Sequence, residues 1–220
     1  LRLTSNINNQ TGFARNTTAF PTANGLSISF DYFTYGGSGA DGLAFYLYDA
    51  SVNPFTIGGF GGSLGYAQNN TNPGISKAFL GLGIDEFGNF SNPTAGRQGG
   101  PGQRASSVAL RGDGNGNAAI SSNYEYLSGI QTTDAVAMTN AGAGNIFQIA
   151  GGIDGRLYEA NSALSPGYRR AKIDLVPHSS GSGFNVNVWI TEGNSSGAIV
   201  HHLIKDYLYV PTNPVPEFLS

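Results

Sequence analysis

The sequence predicts an all-β protein, a two-sheet antiparallel sandwich, and three observations carry that prediction. The chain holds 33 glycines together with heavy use of Asn, Ser and Thr. Only 11% of its residues are charged, too few to coat exposed helices, which draw on Lys and Glu. Its apolar residues come in short runs bounded by Gly, Asn and Pro, the pattern of strands and turns.

In chain order, Leu26, Ile28, Phe30 and Tyr32 alternate with polar residues and read as a half-buried strand, and the aromatic-rich residues 43–48 (LAFYLY) read as a strand covered on both faces. A glycine-rich turn, residues 36–42, separates them. Residues 80–84 alternate large side chains with glycine, and residues 108–110 are a short apolar run. Residues 171–176, 184–190 and 203–210 complete the strand set, with loops over residues 58–65, 92–102 and 111–117. No fixed-period repeat and no linker divides the chain, and sandwiches of 220 residues are commonly one unit, so residues 1–220 are expected to form a single domain.

Composition excludes several function classes. A formal net charge of −3 with eleven Lys and Arg leaves no basic face for phosphates, so nucleic acid is not an expected partner and neutral ligands suit the surface better. Without cysteine there is no disulfide, no thiolate ligand for zinc and no thiol nucleophile. No run approaches the roughly 20 apolar residues that span a bilayer, so membrane insertion is not expected. The start, Leu1-Arg2-Leu3-Thr4-Ser5, lacks the apolar stretch of a signal peptide, and the chain is read as a piece of a longer polypeptide. Sequons at Asn9, Asn16, Asn69, Asn89 and Asn194 carry little weight in so Asn-rich a chain.

The densest candidate for chemistry is Ile84-Asp85-Glu86-Phe87-Gly88-Asn89, at the end of an apolar strand. Were the chain extended there, Asp85, Phe87 and Asn89 would share one face. A carboxylate, an amide oxygen and a main-chain carbonyl are hard oxygens of the kind calcium takes in sets of about 6–8. Read alone, the segment fits an ordinary strand end with a solvated Asp-Glu pair better than a metal site, so other segments must decide.

Two segments bear on it. Gly39-Ala40-Asp41-Gly42-Leu43-Ala44-Phe45 and Gly61-Gly62-Ser63-Leu64-Gly65, followed by Asp85-x-Phe87-x-Asn89, resemble the three sugar-site loops of the L-type lectins, the group of the legume seed lectins and the ER–Golgi cargo lectins. The resemblance runs over most of the chain from about Leu26 and is closest to lectin-like modules of large bacterial surface adhesins. It implies a concanavalin-like jelly roll. It also implies that Asp41, joined to Ala40 by a cis bond, accepts two sugar hydroxyls, that Gly62 offers its backbone N–H, and that Asn89 donates its side-chain amide. Phe87 would place its ring on the sugar's apolar face. Calcium would take Asp85, the Phe87 carbonyl, Asn89 and, before Pro93, Asn92.

The chain departs from the seed-lectin pattern in two places. Gly83 stands where a Glu binds a second, transition metal, which puts a manganese site in doubt. Asn92 stands where an Asp is expected, a neutral and weaker oxygen, with Asp113 as a rival ligand. The segment 113–117 opens like an EF-hand loop but has Ala118 where a glycine is needed and Tyr124 where the bidentate Glu belongs, so it is read as a turn.

Residues 61–65 satisfy G-x-S-x-G, but the strand before, the helix after and a partner His are missing, so Ser63 is not read as a nucleophile. His201 and His202 should point to opposite faces of their strand, a poor start for a shared metal site, and are read as surface or strand-face residues. Sandwich glycoside hydrolases use paired carboxylates about 5–9 Å apart, whereas neighbouring Asp85 and Glu86 would face opposite sheet surfaces. The expectation is therefore a calcium-dependent glycan- or polysaccharide-binding module, not an enzyme, extracellular or on a cell surface. A non-binding, calcium-stiffened spacer within an adhesin is the alternative, and a glycoside hydrolase the lesser one. The resemblance further implies that a final strand and a fourth sugar-site loop lie beyond Ser220.

Overall fold

The computed structural model describes residues 1–37, 39–116, 123–150 and 166–220. The fold is a two-sheet antiparallel β-sandwich. In chain order its strands are β1 (Phe20–Pro21), β2 (Leu26–Tyr32), β3 (Gly42–Tyr48), β4 (Ala78–Asp85), β5 (Ser107–Arg111), β6 (Tyr126–Gln131), β7 (Arg169–Pro177), β8 (Phe184–Glu192), β9 (Ile199–Tyr209) and β10 (Phe218–Leu219). The back sheet has the order β2-β7-β8-β9, the front sheet β3-β4-β5-β6, and β1 pairs with β10. Every pairing is antiparallel. One helix, α1 (Ala135–Ala141), follows β6, with the Asp134 carboxylate accepting from the N–H groups of Val136 and Ala137 at its start and Gly142 left-handed at its end.

The main core fills the space between the sheets. Leu80, Leu82 and Ile84 of β4 and Val108 and Leu110 of β5 meet Ala171, Ile173 and Leu175 of β7 and Val186, Val188 and Ile190 of β8, all buried. Each large aliphatic side chain so covered contributes about 1.5–3 kcal/mol. The strand period of two then puts Gly81, Gly83 and Asp85 on the other face of β4.

That face is covered as well. A Cβ added at Gly81 would lie 2.5 Å from the Tyr66 ring, and one at Gly83 would lie 2.3 Å from the ring of Phe90. The glycines let two rings lie directly on the backbone, and around them Tyr48, Ile75, Ala109 and Tyr124 build a second buried cluster. This aromatic bed supports the loops over residues 58–76 and 86–104. Gly83 is thus the floor beneath Phe90, and a side chain at this position would collide with that ring.

All the strands read from the sequence form. β6 was not among them, and β9 begins at Ile199. Asp85, Phe87 and Asn89 do not share an extended face: β4 stops at Asp85, Gly88 is left-handed at φ 100°, and Asn89–Ser91 is a 3₁₀ turn. His201 and His202 do diverge, but His201 is fully buried rather than on the surface, its Nδ1 within 2.8 Å of the Ala143 carbonyl and its ring stacked on Phe147. His202 lies on the outer face, stacked on Trp189, whose ring also carries the Lys172 ammonium at 4.6 Å.

Asp113 fastens the C-terminal segment. Its carboxylate accepts from the N–H groups of Thr212 (2.9 Å) and Asn213 (2.8 Å), from the Asn213 side-chain amide and from the Tyr209 hydroxyl (3.2 Å). Residues 117 and 118, at the far end of the EF-hand-like segment, lie outside the described residues. Beyond Asp113's partners, Ser220 and Tyr48 exchange main-chain hydrogen bonds of 3.0 and 3.2 Å, so residues 218–220 run beside β3.

Candidate functional site

Three loops meet at one end of the front sheet. The first leads into β3, where the main-chain oxygen of Asp41 accepts from the N–H groups of both Glu86 and Phe87, each at 3.0 Å. The peptide bond between Ala40 and Asp41 is cis. Gly42 follows at φ 154° with β4 so close that a Cβ would stand 2.4 Å from the Ile84 carbonyl oxygen. The Asp41 carboxylate is half-buried at the rim.

The second loop turns through the 3₁₀ segment Gly61–Ser63. Gly61 is left-handed, and the direction its side chain would take leads to Asp41 Oδ2 at 4.0 Å. Gly62 lies against Asn89 of the third loop, where a Cβ would come within 2.3 Å of the Asn89 Cβ. The Ser63 hydroxyl, fully buried, donates to the Gln68 carbonyl at 2.7 Å and accepts from Arg97 Nη1 at 3.1 Å.

The third loop is folded by Asp85. This carboxylate is fully buried and accepts from the Gly88 N–H at 2.8 Å through one oxygen and from the Phe90 N–H at 2.6 Å through the other. The turn leaves the Phe87 ring 42% exposed beside Asp41. Asn89, half-buried, accepts from the Asn92 amide at 3.2 Å through its side-chain oxygen. Asp41, Gly62, Phe87 and Asn89 therefore come together, with Asp85 behind them and Asn92 at their flank.

Two residues of this site escaped the sequence reading. Phe60, 58% exposed, immediately precedes Gly61 and adds a second exposed aromatic residue to the second loop. Arg97 is buried, and donates from Nε to the Asn92 carbonyl (3.1 Å), from Nη1 to Ser63 and from Nη2 to the Thr94 hydroxyl (2.8 Å). It is the sole cation between Lys77 and Arg104, a signal that was available.

Burial governs the electrostatics. Desolvation raises the Asp41 carboxyl above its ordinary range, with Arg97 opposing. Desolvation also pushes Asp85 up to about 6, against the two backbone N–H groups it accepts from, with Asp41 adding to the rise and Arg97 opposing it. Glu86 is pushed up to about 7 by desolvation and then by Asp85. Arg111, fully buried under the same loops, is brought down to about 9 by desolvation and by the charge of Arg97.

The oxygens expected to hold calcium are already engaged within the loops. Both oxygens of Asp85 hold the turn, Phe87's carbonyl accepts from the Gln103 amide at 3.0 Å, and Asn89's side-chain oxygen is engaged by Asn92. The charges of Asp41 and Asp85 act on the buried guanidinium of Arg97, and that of Asp85 also on Arg111. A divalent ion would have to share these oxygens with hydrogen bonds already made, and Asp85 is the single carboxylate in the expected set.

What the arrangement offers is a rim carboxylate that accepts hydroxyl hydrogens, an amide and a packed backbone turn beside it, and exposed phenyl rings. Comparisons with family models, with curated proteins and with solved structures return no match.

Proposed function

We propose that the chain is a carbohydrate-binding module whose site is the rim formed by Asp41, Gly62, Phe87 and Asn89. The observation that carries this reading is the main-chain hydrogen bond from the Phe87 N–H to the Asp41 carbonyl, which sets an exposed aromatic residue next to a half-buried acidic one at the same loop end. A pyranose presents hydroxyls along its edge and C–H groups on one face, and a carboxylate beside an aromatic ring serves both. An extracellular or cell-surface setting, within a larger adhesive polypeptide, belongs to the same proposal.

Binding is favoured over hydrolysis by what Asp85 and Glu86 do. Asp85 is spent on the turn, and Glu86 lies on the side of the strand where its charge is felt by Tyr32 in the inter-sheet core. Neither is paired across the rim in the manner of two carboxylates flanking a glycosidic bond. Among the described residues no helix is long and apolar enough to cross a membrane.

A glycan array probed with the intact chain, read beside reducing-sugar release from the same oligosaccharides, tests the proposal. Retention of a defined set of glycans without release of reducing ends is the expected result. A blank array would return the module to the role of a spacer, and release of reducing ends would make it a hydrolase.

A further inference from the structure

We propose that Arg97 takes the place of a bound cation in the rim loops, so that the arrangement around Asp41 is kept without calcium. The inference concerns the same loops as the proposed glycan site, but its test is read without a glycan, so the two can fail separately.

The case rests on where Arg97 reaches. Arg97 is only 4% exposed, although it sits on a loop rich in glycine and proline. Through Ser63 it holds the second loop one residue beyond Gly62. Through the Asn92 carbonyl and the Thr94 hydroxyl it holds the third loop just beyond the Asn89–Ser91 turn. Nε, Nη1 and Nη2 of the fork thus each end on an oxygen atom of the loops that carry the rim, as the bonds of a multivalent cation would.

The acidic partners are placed to match. Asp41 and Asp85 each feel the charge of Arg97, and Arg97 feels theirs. Asp85 orders its loop through the N–H groups of Gly88 and Phe90, one on each of its two oxygens. Gly83, at the position the resemblance gives to a metal-binding Glu, is covered by the Phe90 ring, and the guanidinium of Arg111 lies 5.4 Å from that same ring. The neighbourhood of the rim loops is therefore packed by an aromatic side chain and two buried guanidiniums.

Thermal unfolding of the intact chain in EDTA, and then in excess calcium chloride, tests the inference, with the variant Arg97→Gln run alongside. The parent is expected to melt at the same temperature in both buffers. The variant, left with two carboxylates and no adjacent guanidinium from residue 97, is expected to melt lower in EDTA and to recover part of the loss in calcium. A parent that melts lower in EDTA and higher in calcium overturns the inference whether or not the variant folds. So does a folded variant as stable as the parent in EDTA. A folded variant that is destabilised yet indifferent to calcium also overturns it, and leaves Arg97 as a loop tether alone.

Discussion

Gly62 and Asn89 are in backbone contact: a Cβ on the glycine would stand 2.3 Å from the Cβ of the asparagine and 3.3 Å from its Cα. The second and third rim loops therefore touch at a point where no side chain fits. Gly62→Ala must push them apart, and overpacking of this kind costs about 1–3 kcal/mol. Urea unfolding of the variant is expected to show a lower midpoint with an unchanged slope, and glycan binding is expected to fall with it.

Asp113 gives a second expectation, remote from the rim. Its carboxylate accepts from Thr212, Asn213 and Tyr209, and it is itself 5% exposed. Hydrogen bonds to a buried charge are each worth about 1.5–3 kcal/mol and do not simply add, so Asp113→Ala is expected to cost about 3 kcal/mol. Limited proteolysis should then cut within residues 210–217 sooner than in the parent. Retention of parental stability would show that the C-terminal segment is held by β10 and by Ser220 alone.

Stability should also depend on pH through Glu86 and Asp85. Both carboxyls are raised on folding, Glu86 from 4.5 to about 7 and Asp85 from 3.8 to about 6. The folded state thus binds more protons than the unfolded state across roughly pH 4 to 7, and stability falls as pH rises through that window. The melting temperature is expected to be higher at pH 5 than at pH 7.5. Glu86→Gln, which removes one of the two groups, should flatten that dependence and raise the melting temperature at the upper end. A melting temperature that climbs from pH 5 to pH 7.5 in the parent would contradict the shifts.

The sandwich was legible because its strands carry their pattern locally. Leu26, Ile28, Phe30 and Tyr32 alternate inward, and Gly81 and Gly83 interrupt Leu80, Leu82 and Ile84 in the same register. β6 was hidden because Ser128 and Gly129 break its apolar run, so periodicity alone gives it no face. The helix α1 had its signals, Asp134 before it and Gly142 after it, and they were not used.

The site was legible in part. Asp41, Gly62, Phe87 and Asn89 were each named from local motifs, and they meet. The reason first given for Asp85, Phe87 and Asn89, a shared strand face, does not hold, because Gly88 turns the chain and Asp85 takes the N–H groups of the turn. Arg97 was missed because its partners Ser63 and Asn92 come from two loops, and nothing in the residues beside it announces burial. Phe60 was missed because exposure of a ring beside glycines is a property of the folded loop and not of the tripeptide.

The measurement that bears most directly on the central claim is a calorimetric titration of Asp41→Asn with a glycan that the parent binds. The substitution keeps the side chain's shape and removes its charge, so the rim stays packed while charge-assisted acceptance of hydroxyl hydrogens is lost. With such bonds worth about 1.5–3 kcal/mol, affinity is expected to drop by roughly ten- to a hundredfold with the melting temperature little changed. Undiminished affinity in the folded variant would place the glycan elsewhere on the protein and contradict the account.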